Sequence, residues 1–393
     1  MIREKNVFAR LDQAGLFAAA LALRFAAAAA MGRLFAYRDD GLYDDGVFIR
    51  MAESFLGRFP EPLVTHPPGY SFFLVPFLAL GENGLIWAAW AQMLLGALLP
   101  VLIYRLCSSA GLGRVACLAA GALTACNPLL IFFSARIMSE TVFALLAVVF
   151  MSLWLGAWGS GRPAVAAAAG LVGGLASLTR GVMLPFGGFL AVISLLRSGE
   201  QPRWAALVAA CGLAWALAVA PWTVRNWVRF DRFIPVSLQS GWNLWEGMAV
   251  DPQELKARPL QMGLETAGMS QFEADLHFGR KAKAWIKENP ARFMRLTARK
   301  ALKFWRPLPY PPHPAAIRWA MGGFALLSFA LALLGLVGGG VPGFFSAFLL
   351  AWAVHLTLLH AVFASNLRYR APLEPFIAVY AGAGVAFCLR KIK

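Results

Sequence analysis

Long apolar runs alternate with short polar segments along the whole chain. Ten runs come near the roughly 20 mainly apolar residues that a membrane-spanning helix needs. They cover residues 14–34, 84–106, 114–134, 139–157, 163–178, 181–197, 204–222, 316–338, 343–363 and 371–389. The run 70–81 is too short to cross, so we interpret it as a re-entrant or buried half-helix. The pattern predicts one all-α polytopic membrane module over residues 1–393, with about ten transmembrane helices.

Composition supports this prediction and excludes other classes. Of the 393 residues, 59% are hydrophobic and 14% are charged, whereas soluble proteins carry roughly 25% charged residues. The mean hydropathy is +0.62. These values exclude a soluble, disordered, collagen-like or disulfide-stapled secreted protein. The cysteines lie in or beside apolar runs without metal-ligand spacing, so we interpret them as small buried hydrophobic residues: Cys107, Cys117, Cys126, Cys211 and Cys388.

Lysine and arginine near the ends of the runs predict the orientation. If the N-terminus is cytoplasmic, eleven of these residues lie on inner segments and seven on the short outer ones. An even number of helices then places both termini in the cytoplasm. We expect the first run to be a spanning helix and not a signal peptide, because Arg24 interrupts it and nine runs follow. The long stretches 35–69 and 223–315 would both face outward.

The excess of positive charge is informative once it is placed on this topology. The formal net charge is +16, which in a membrane protein indicates loop bias and anionic headgroups before nucleic acid. Residues 223–318 contain sixteen lysines and arginines against eight acids, so half of the excess would face outward. The stretch 35–69 contains six acids on the same side. We expect a basic and an acidic surface of one site.

The second outer stretch contains two helix signals. Residues 270–273 fit a capping box, and Asn289-Pro290 fits an N-cap followed by proline. Beyond them, two separate rows recur at helical spacing: basic Arg292, Arg295, Arg299, Lys303 and Arg306, and apolar Met294, Ala298, Ala301, Leu302 and Trp305. This pattern predicts a basic amphipathic helix along the membrane surface. It would either anchor the loop to lipid headgroups or guide an anionic lipid substrate.

The first outer stretch contains the adjacent carboxylates Asp44 and Asp45, followed by an amphipathic helix. Adjacent carboxylates repel, which tends to raise the pKa of one of them, and they can also bind a divalent cation. Alternatively, they cap that helix and occupy its first turn. His66 then precedes the rigid Pro67-Pro68-Gly69 turn and could donate a hydrogen bond to phosphate, or be merely structural.

Further charged residues fall on the same side of the predicted membrane. Glu140 opens a span, where an acid is costly and therefore a functional candidate, although it could also serve as a helix-terminal residue. Arginine is the preferred bidentate partner of phosphate, and its alternative role here is snorkelling to headgroups. Four arginines are candidates for that role: Arg180, Arg225, Arg368 and Arg370. Acids and arginines at one membrane face suit a site that holds a phosphate and activates a hydroxyl.

Five short motifs resemble the GT-C superfamily of polytopic membrane glycosyltransferases, in particular bacterial members similar to protein mannosyltransferases and aminoarabinose transferases. Asp44, Asp45, Phe48 and Ala52 match the acid-pair motif, with Phe48 in place of tyrosine and Asp45 in place of glutamate. The other four matches, in chain order, are residues 67–70, 221–226 with 241–245, 285–290 and 368–375.

The resemblance implies transfer of a sugar from a polyprenyl-phosphate donor to a hydroxyl acceptor at the outer face of a bacterial cytoplasmic membrane. Asp44 matches the family's catalytic acid and would be the general base, with Asp45 orienting the site or holding a cation and Glu140 as a second acid. The residues expected to bind the donor phosphate are His66, Arg180, Arg225, Arg368 and Arg370. The residues expected to line the substrate are Tyr70, Asn226, Asn243, Trp245 and Tyr369.

Two other functions are compatible with a polytopic chain. Intramembrane charges and broken helices also suit a lipid flippase or transporter. A transporter would more often show internal repeats and mid-membrane charges, whereas only Arg24 is clearly in the middle of a run here. A membrane scaffold without catalytic activity is disfavoured by the convergence of acids and arginines on one side.

Overall fold

The computed structural model describes residues 2–37, 44–59, 64–249, 252–309 and 315–392, and the regular elements in these ranges are helical. Four charged residues of the predicted first outer stretch lie outside the described residues: Arg38, Asp39, Asp40 and Glu61. The α-helices in the described ranges are, in chain order, α1 Ile2–Ala30, α2 Asp45–Phe55, α3 Gly69–Leu78, α4 Gly84–Ser109, α5 Arg114–Cys126, α6 Pro128–Ser134, α7 Glu140–Ser160, α8 Pro163–Thr179, α9 Phe186–Leu196, α10 Trp204–Phe230, α11 Ser240–Glu246, α12 Pro252–Glu265, α13 Gln271–Glu288, α14 Pro290–Phe304, α15 Ala315–Val337, α16 Gly343–Val362 and α17 Glu374–Ile392.

Seven helices of the described chain are long and apolar enough to cross a membrane: α1, α4, α7, α10, α15, α16 and α17 with the turn before it. The bent pair α5 and α6 would make an eighth span, while α8 and the segment 181–196 are shorter apolar helices. The all-α polytopic fold is therefore confirmed, and the number ten stays a prediction. Helix α3 has 10 residues, about half of what a crossing needs, in agreement with a half-helix over 70–81.

The bend between α5 and α6 has a local cause. Asn127 has an extended backbone, and its side-chain oxygen accepts hydrogen bonds from the backbone N–H groups of Leu129 and Leu130. Pro128 occupies the first turn of α6, where its missing N–H costs nothing. The Asn127 amide also donates to Glu374 Oε2 at 2.9 Å, which ties the bend to the start of α17.

Small residues allow the spanning helices to pack with their backbones in contact. A Cβ at Gly335 of α15 would lie 1.9 Å from the carbonyl oxygen of Tyr380, and one at Gly384 of α17 would lie 2.0 Å from that of Leu331. Close approach of this kind is typical of helix pairs in membranes, where van der Waals packing drives association.

We expect Gly335→Ala to separate α15 from α17 and to lower stability by about 1–3 kcal/mol, the usual cost of overpacking. Gly323→Ala on the same helix is the matched control, because a Cβ there meets no atom within 4 Å. Thermal unfolding in detergent measures both variants. If Gly335→Ala unfolds at the wild-type temperature, this packing is not limiting for stability.

Candidate functional site

Two ion pairs join residues from four parts of the chain. Arg368 Nη2 lies 2.8 Å from Asp44 Oδ2, and Arg180 Nη1 lies 2.8 Å from Glu140 Oε1. A third approach of 4.0 Å, between Arg368 Nε and Glu140 Oε1, connects the two pairs. We call these four residues the ion-pair cluster. The structure thus brings together four of the eight residues that the sequence suggests for catalysis and phosphate binding.

Asp44 directly precedes α2. Its backbone carbonyl accepts from the N–H groups of Val47 and Phe48, as an N-cap residue does, but its side chain makes no capping hydrogen bond. The carboxylate, 38% exposed, turns to Arg368 instead. Burial by itself would raise the pKa of Asp44, but Arg368, His66 and Arg180 hold that pKa below its usual value. Asp44 is therefore ionised at neutral pH.

Asp45 has a different environment from Asp44. It is buried in the first turn of α2, and its Oδ2 accepts a hydrogen bond from the Tyr37 hydroxyl at 2.8 Å. The two neighbouring carboxylates therefore bind different partners. In the described ranges no group of three or more His, Cys, Asp or Glu side chains is arranged to hold a metal ion. A divalent cation at Asp44 and Asp45 therefore stays a prediction.

Glu140 begins α7 and is 1% exposed. Its neighbour Ser139 stands at the N-cap position without a side-chain capping bond and instead lies 3.4 Å from Arg180 Nη1. A buried carboxylate is tolerated only when it is paired, and Arg180 provides that pair. Glu140 is therefore more than a helix-terminal residue, because it fixes the position of a guanidinium.

The two arginines of the cluster share an aromatic neighbour. Arg180 follows the last residue of α8 in extended backbone, and its guanidinium lies 5.5 Å from the Tyr369 ring centroid. Arg368 lies in the 3-10 turn Leu367–Leu373, 4.9 Å from the same ring, and donates to the Tyr369 hydroxyl at 3.2 Å. The Tyr369 ring stacks on His360 of α16 with centroids 4.4 Å apart. Tyr369 thus orders both guanidinium groups.

His66 lies at the edge of the cluster. The amide nitrogen of Gln239 is 3.2 and 3.3 Å from the two ring nitrogens, and the Phe48 ring packs edge-on at 5.4 Å. Burial lowers the pKa of His66 to about 4, although the nearby Asp44 charge opposes this. The imidazole is therefore neutral at neutral pH, and it would bind a phosphate as a neutral hydrogen-bonding group.

We expect His66→Gln to leave the shape of the pH dependence of activity unchanged between about pH 5 and 8. The reason is that the lowered pKa places the His66 titration below this window, so that protonation adds positive charge only in more acidic solution. A rate profile for wild type and variant measures this. A transition near neutral pH that disappears in His66→Gln would contradict the neutral state.

Arg370 and Arg225 lie outside the ion-pair cluster. Arg370 is buried and donates to Glu374 at 2.6 Å and to the carbonyl oxygens of Phe304 and Arg306 at 3.2 and 2.8 Å. Arg225 of α10 donates to Asn226 Oδ1 at 2.9 Å and lies over aromatic rings. Their binding to a donor phosphate stays a prediction, and the bonds of Arg370 are those of a structural tie.

The residues expected to line the substrate, apart from Tyr369, also have identifiable places. Tyr70 is fully buried and donates to Gln92 at 2.7 Å. Asn226 is buried and donates to the Ile234 carbonyl at 2.9 Å. Asn243 and Trp245 are half-buried on α11, and the Trp245 ring faces two cations, Arg258 at 4.7 Å and Lys281 at 4.8 Å. Tyr70 and Asn226 thus make structural bonds, and their contact with a substrate stays a prediction.

Glu246 is a neighbour of the cluster that the sequence did not single out. It is the last residue of α11 and is half-buried. Burial raises its pKa, and its charge interacts with those of Arg368 and Asp44. It directly follows the matched Gly241–Trp245 motif. Sequence alone offered no signal that this acid, among the eight in residues 223–318, lies close enough to interact with the charges of the cluster.

Comparison with known proteins supports the resemblance. The sequence pattern that defines the dolichyl-phosphate-mannose-protein mannosyltransferase family matches residues 65–224. This region includes His66, Glu140 and Arg180, whereas Asp44 and Arg368 lie outside it. No curated protein is similar to the chain in overall sequence.

Two solved structures are similar in fold, and a third aligns with a lower score. Archaeal oligosaccharyltransferase AglB from Archaeoglobus fulgidus, in complex with an inhibitory peptide and a dolichol-phosphate, aligns with a TM-score of 0.59 and 15% identity over 97% of this chain and 50% of that one. The A. fulgidus enzyme in complex with Zn and sulfate aligns with a TM-score of 0.58 and 14% identity, over 96% and 49%. ArnT from Cupriavidus metallidurans bound to undecaprenyl phosphate gives a TM-score of 0.43 and 16% identity, over 95% and 77%.

The chain spans about half the length of the archaeal oligosaccharyltransferase that it matches. The aligned half of that enzyme corresponds to nearly all of the present chain, including its spanning helices. The predicted GT-C-like fold is confirmed: the chain has the fold of the archaeal oligosaccharyltransferase, and residues 65–224 match the mannosyltransferase family.

Proposed function

We propose that this chain is an inverting glycosyltransferase that moves a sugar from a polyprenyl-phosphate donor to a hydroxyl acceptor. The family match and the shared fold support glycosyl transfer at the membrane. The observation that carries the proposal is the ion pair between Asp44 and Arg368. It puts an ionised carboxylate, able to take a proton, beside a guanidinium, which can hold a phosphate.

In the proposed reaction Asp44 is the general base. The acceptor hydroxyl gives its proton to the Asp44 carboxylate while its oxygen attacks the anomeric carbon of the donor sugar. The attack comes from the face opposite the phosphate, so the configuration inverts. The bond between the anomeric carbon and the phosphate oxygen breaks, and its electron pair leaves with polyprenyl phosphate. Negative charge therefore grows on the phosphate as the reaction proceeds.

Arg180 and Arg368 would stabilise that growing charge. A guanidinium has five N–H donors, so Arg368 can keep its bond to Asp44 and still bind a phosphate oxygen. Glu140 acts on this site through Arg180, which it orients by their 2.8 Å ion pair, and is thus a positioning residue. Preorganised donors of this kind are usually the largest single contribution to catalysis.

The location of the reaction is part of the proposal. The distribution of lysine and arginine favours cytoplasmic termini, with the ion-pair cluster at the outer face of a bacterial cytoplasmic membrane. There the donor is lipid-linked, and the acceptor is a cell-envelope glycan, lipid or protein with a free hydroxyl. A solved structure with this fold contains dolichol-phosphate, which supports a lipid-phosphate donor. Asn243, Trp245 and Tyr369 are proposed to line the substrate, beside Glu246.

A reconstituted system tests the proposal. The protein is placed in liposomes with radiolabelled polyprenyl-phosphate sugars and a panel of hydroxyl acceptors, and label is followed into the acceptor. Transfer that inverts the anomeric carbon supports the proposal. Movement of labelled donor across the bilayer without transfer to any acceptor would instead identify a flippase, and the proposal would be wrong.

A further inference from the structure

Helix α14 has three distinct faces. Lys300 and Phe304 are buried against the rest of the protein. Beside this buried face, a basic row of Arg292, Arg295 and Arg299 is exposed. Beyond the basic row, exposed apolar side chains follow at helical spacing: Ala291, Met294, Ala298, Leu302 and Trp305.

The exposed apolar row is unusual for a surface in water. Met294 is 66% exposed and Leu302 is 76% exposed. Among the described residues, the three arginines of the basic row make no bond outside their own helix, since Arg295 donates only to the Ala291 carbonyl. A helix that shows an apolar row next to a basic row fits the boundary between lipid headgroups and acyl chains.

The buried face of α14 is bonded to the loop that contains Arg368. Lys300 Nζ donates to the carbonyl oxygens of Val362 and Phe363, at 2.6 and 2.8 Å, where α16 ends. Ser365 Oγ donates to the Lys300 carbonyl at 2.9 Å. Past Arg368, Arg370 donates to the carbonyl oxygens of Phe304 and Arg306. Helix α14 therefore holds residues 362–370 on both sides of Arg368.

Lys300 also connects α14 to the segment that contains Glu246. Its ammonium donates to the Gly247 carbonyl at 3.2 Å. Gly247 touches the chain after α16 directly, since a Cβ there would lie 1.9 Å from the Phe363 carbonyl oxygen. A displacement of α14 would therefore be transmitted to both segments that border the ion-pair cluster.

We propose that the exposed face of α14 docks on anionic phospholipid headgroups and, by doing so, holds the loop 363–370 and Arg368 in place. The arginines would bind headgroup phosphates bidentately, while Met294 and Leu302 enter the acyl boundary. An acidic protein or a nucleic acid would satisfy the arginines, but it would leave the apolar row without a partner. A bilayer surface satisfies both rows.

Amide hydrogen exchange tests docking and coupling together. The full-length protein is placed in nanodiscs of phosphatidylcholine, with or without phosphatidylglycerol, and peptides covering 290–304 and 363–370 are followed. We expect exchange in both peptides to slow about fivefold or more in the anionic discs, because the attraction of even one basic residue to such a surface shifts a binding equilibrium by about fivefold. High salt should reverse the effect.

The matched variants remove equal charge from two neighbouring helices. The triple variant Arg292→Gln, Arg295→Gln and Arg299→Gln should lose the response to phosphatidylglycerol. The control Arg280→Gln, Lys283→Gln and Lys287→Gln removes three exposed charges from α13 and should keep it. Leu302→Asn tests the apolar row with the arginines intact and should weaken the response, which keeps the proposal testable if the triple variant does not fold.

Three results would overturn the proposal. Equal exchange in the two kinds of disc would show that no anionic docking occurs. Equal loss in both triple variants would show a diffuse charge effect in place of a surface on α14. Protection of 290–304 without any change in 363–370 would show that docking does not reach Arg368. Because exchange is measured without substrate, failure here is distinguishable from failure of the proposed transferase activity.

Discussion

Asp44→Asn is expected to lower the rate of sugar transfer by roughly 10²–10⁴-fold, the usual contribution of a general base. The amide keeps the size of the carboxylate and can still accept a hydrogen bond from Arg368, so the fold and donor binding should change little. Single-turnover transfer from labelled polyprenyl-phosphate sugar measures the chemical step, and retention of labelled donor on the purified variant measures binding.

Asp231→Asn is the matched control for this substitution. The Asp231 side chain is 95% exposed and has only a 3.9 Å approach to Arg232, and asparagine tolerates its left-handed backbone, with φ of 51°. This variant should transfer sugar at the wild-type rate. If Asp44→Asn also transfers at that rate, Asp44 is not the base and the proposed mechanism is wrong.

Arg368→Gln is expected to lower transfer by roughly 10²–10³-fold, since it removes a charged donor from the departing phosphate. It also changes the pH dependence. Arg368 lowers the pKa of Asp44, so that pKa rises when Arg368 is removed. The base is then protonated up to a higher pH, and the acidic limb of the rate profile shifts to higher pH. Single-turnover transfer measured over a pH series reports both effects.

Arg368→Lys separates charge from geometry at this position. Lysine keeps the positive charge beside Asp44 but loses the planar fork that can bind carboxylate and phosphate together. We therefore expect an acidic limb close to that of wild type and a rate between those of wild type and Arg368→Gln. The exposed Arg232→Gln serves as the control for loss of one outer charge. An unshifted limb in Arg368→Gln would contradict the electrostatic pairing with Asp44.

The membrane topology explains why much of the site was predictable from sequence. Membrane spans depend on long apolar runs, which are local in sequence, and the predicted order of spans places Asp44, Glu140, Arg180 and Arg368 at one face. A shared face follows from the order of spans, because the chain returns to the same surface with every second crossing, but which of these side chains touch depends on tertiary packing. The capping box of Ser270 and Glu273 was predictable for the same reason, because it depends only on residues close in sequence. Both of its hydrogen bonds form in the structure.

Local geometry explains what sequence could not resolve. Arg368 and Arg370 are two residues apart in a 3-10 turn, so their side chains point in different directions, one to Asp44 and the other to Glu374. From the sequence, both arginines are equally suited to bind phosphate. Glu246 was missed because its position near Arg368 depends on the contact between its neighbour Gly247 and Phe363, a tertiary contact without a local signature.

The ion pair between Asp44 and Arg368 joins residues 324 positions apart. Asp44 is therefore synthesised long before Arg368, and every nascent chain that ends before residue 368 lacks this ion-pair partner. The chain would become able to form this ion pair in a single step, when the last spans insert. Two fragments of the chain, one containing Asp44 and the other containing Arg368, should accordingly be inactive when each is expressed alone. They should form the ion pair only when they are inserted together.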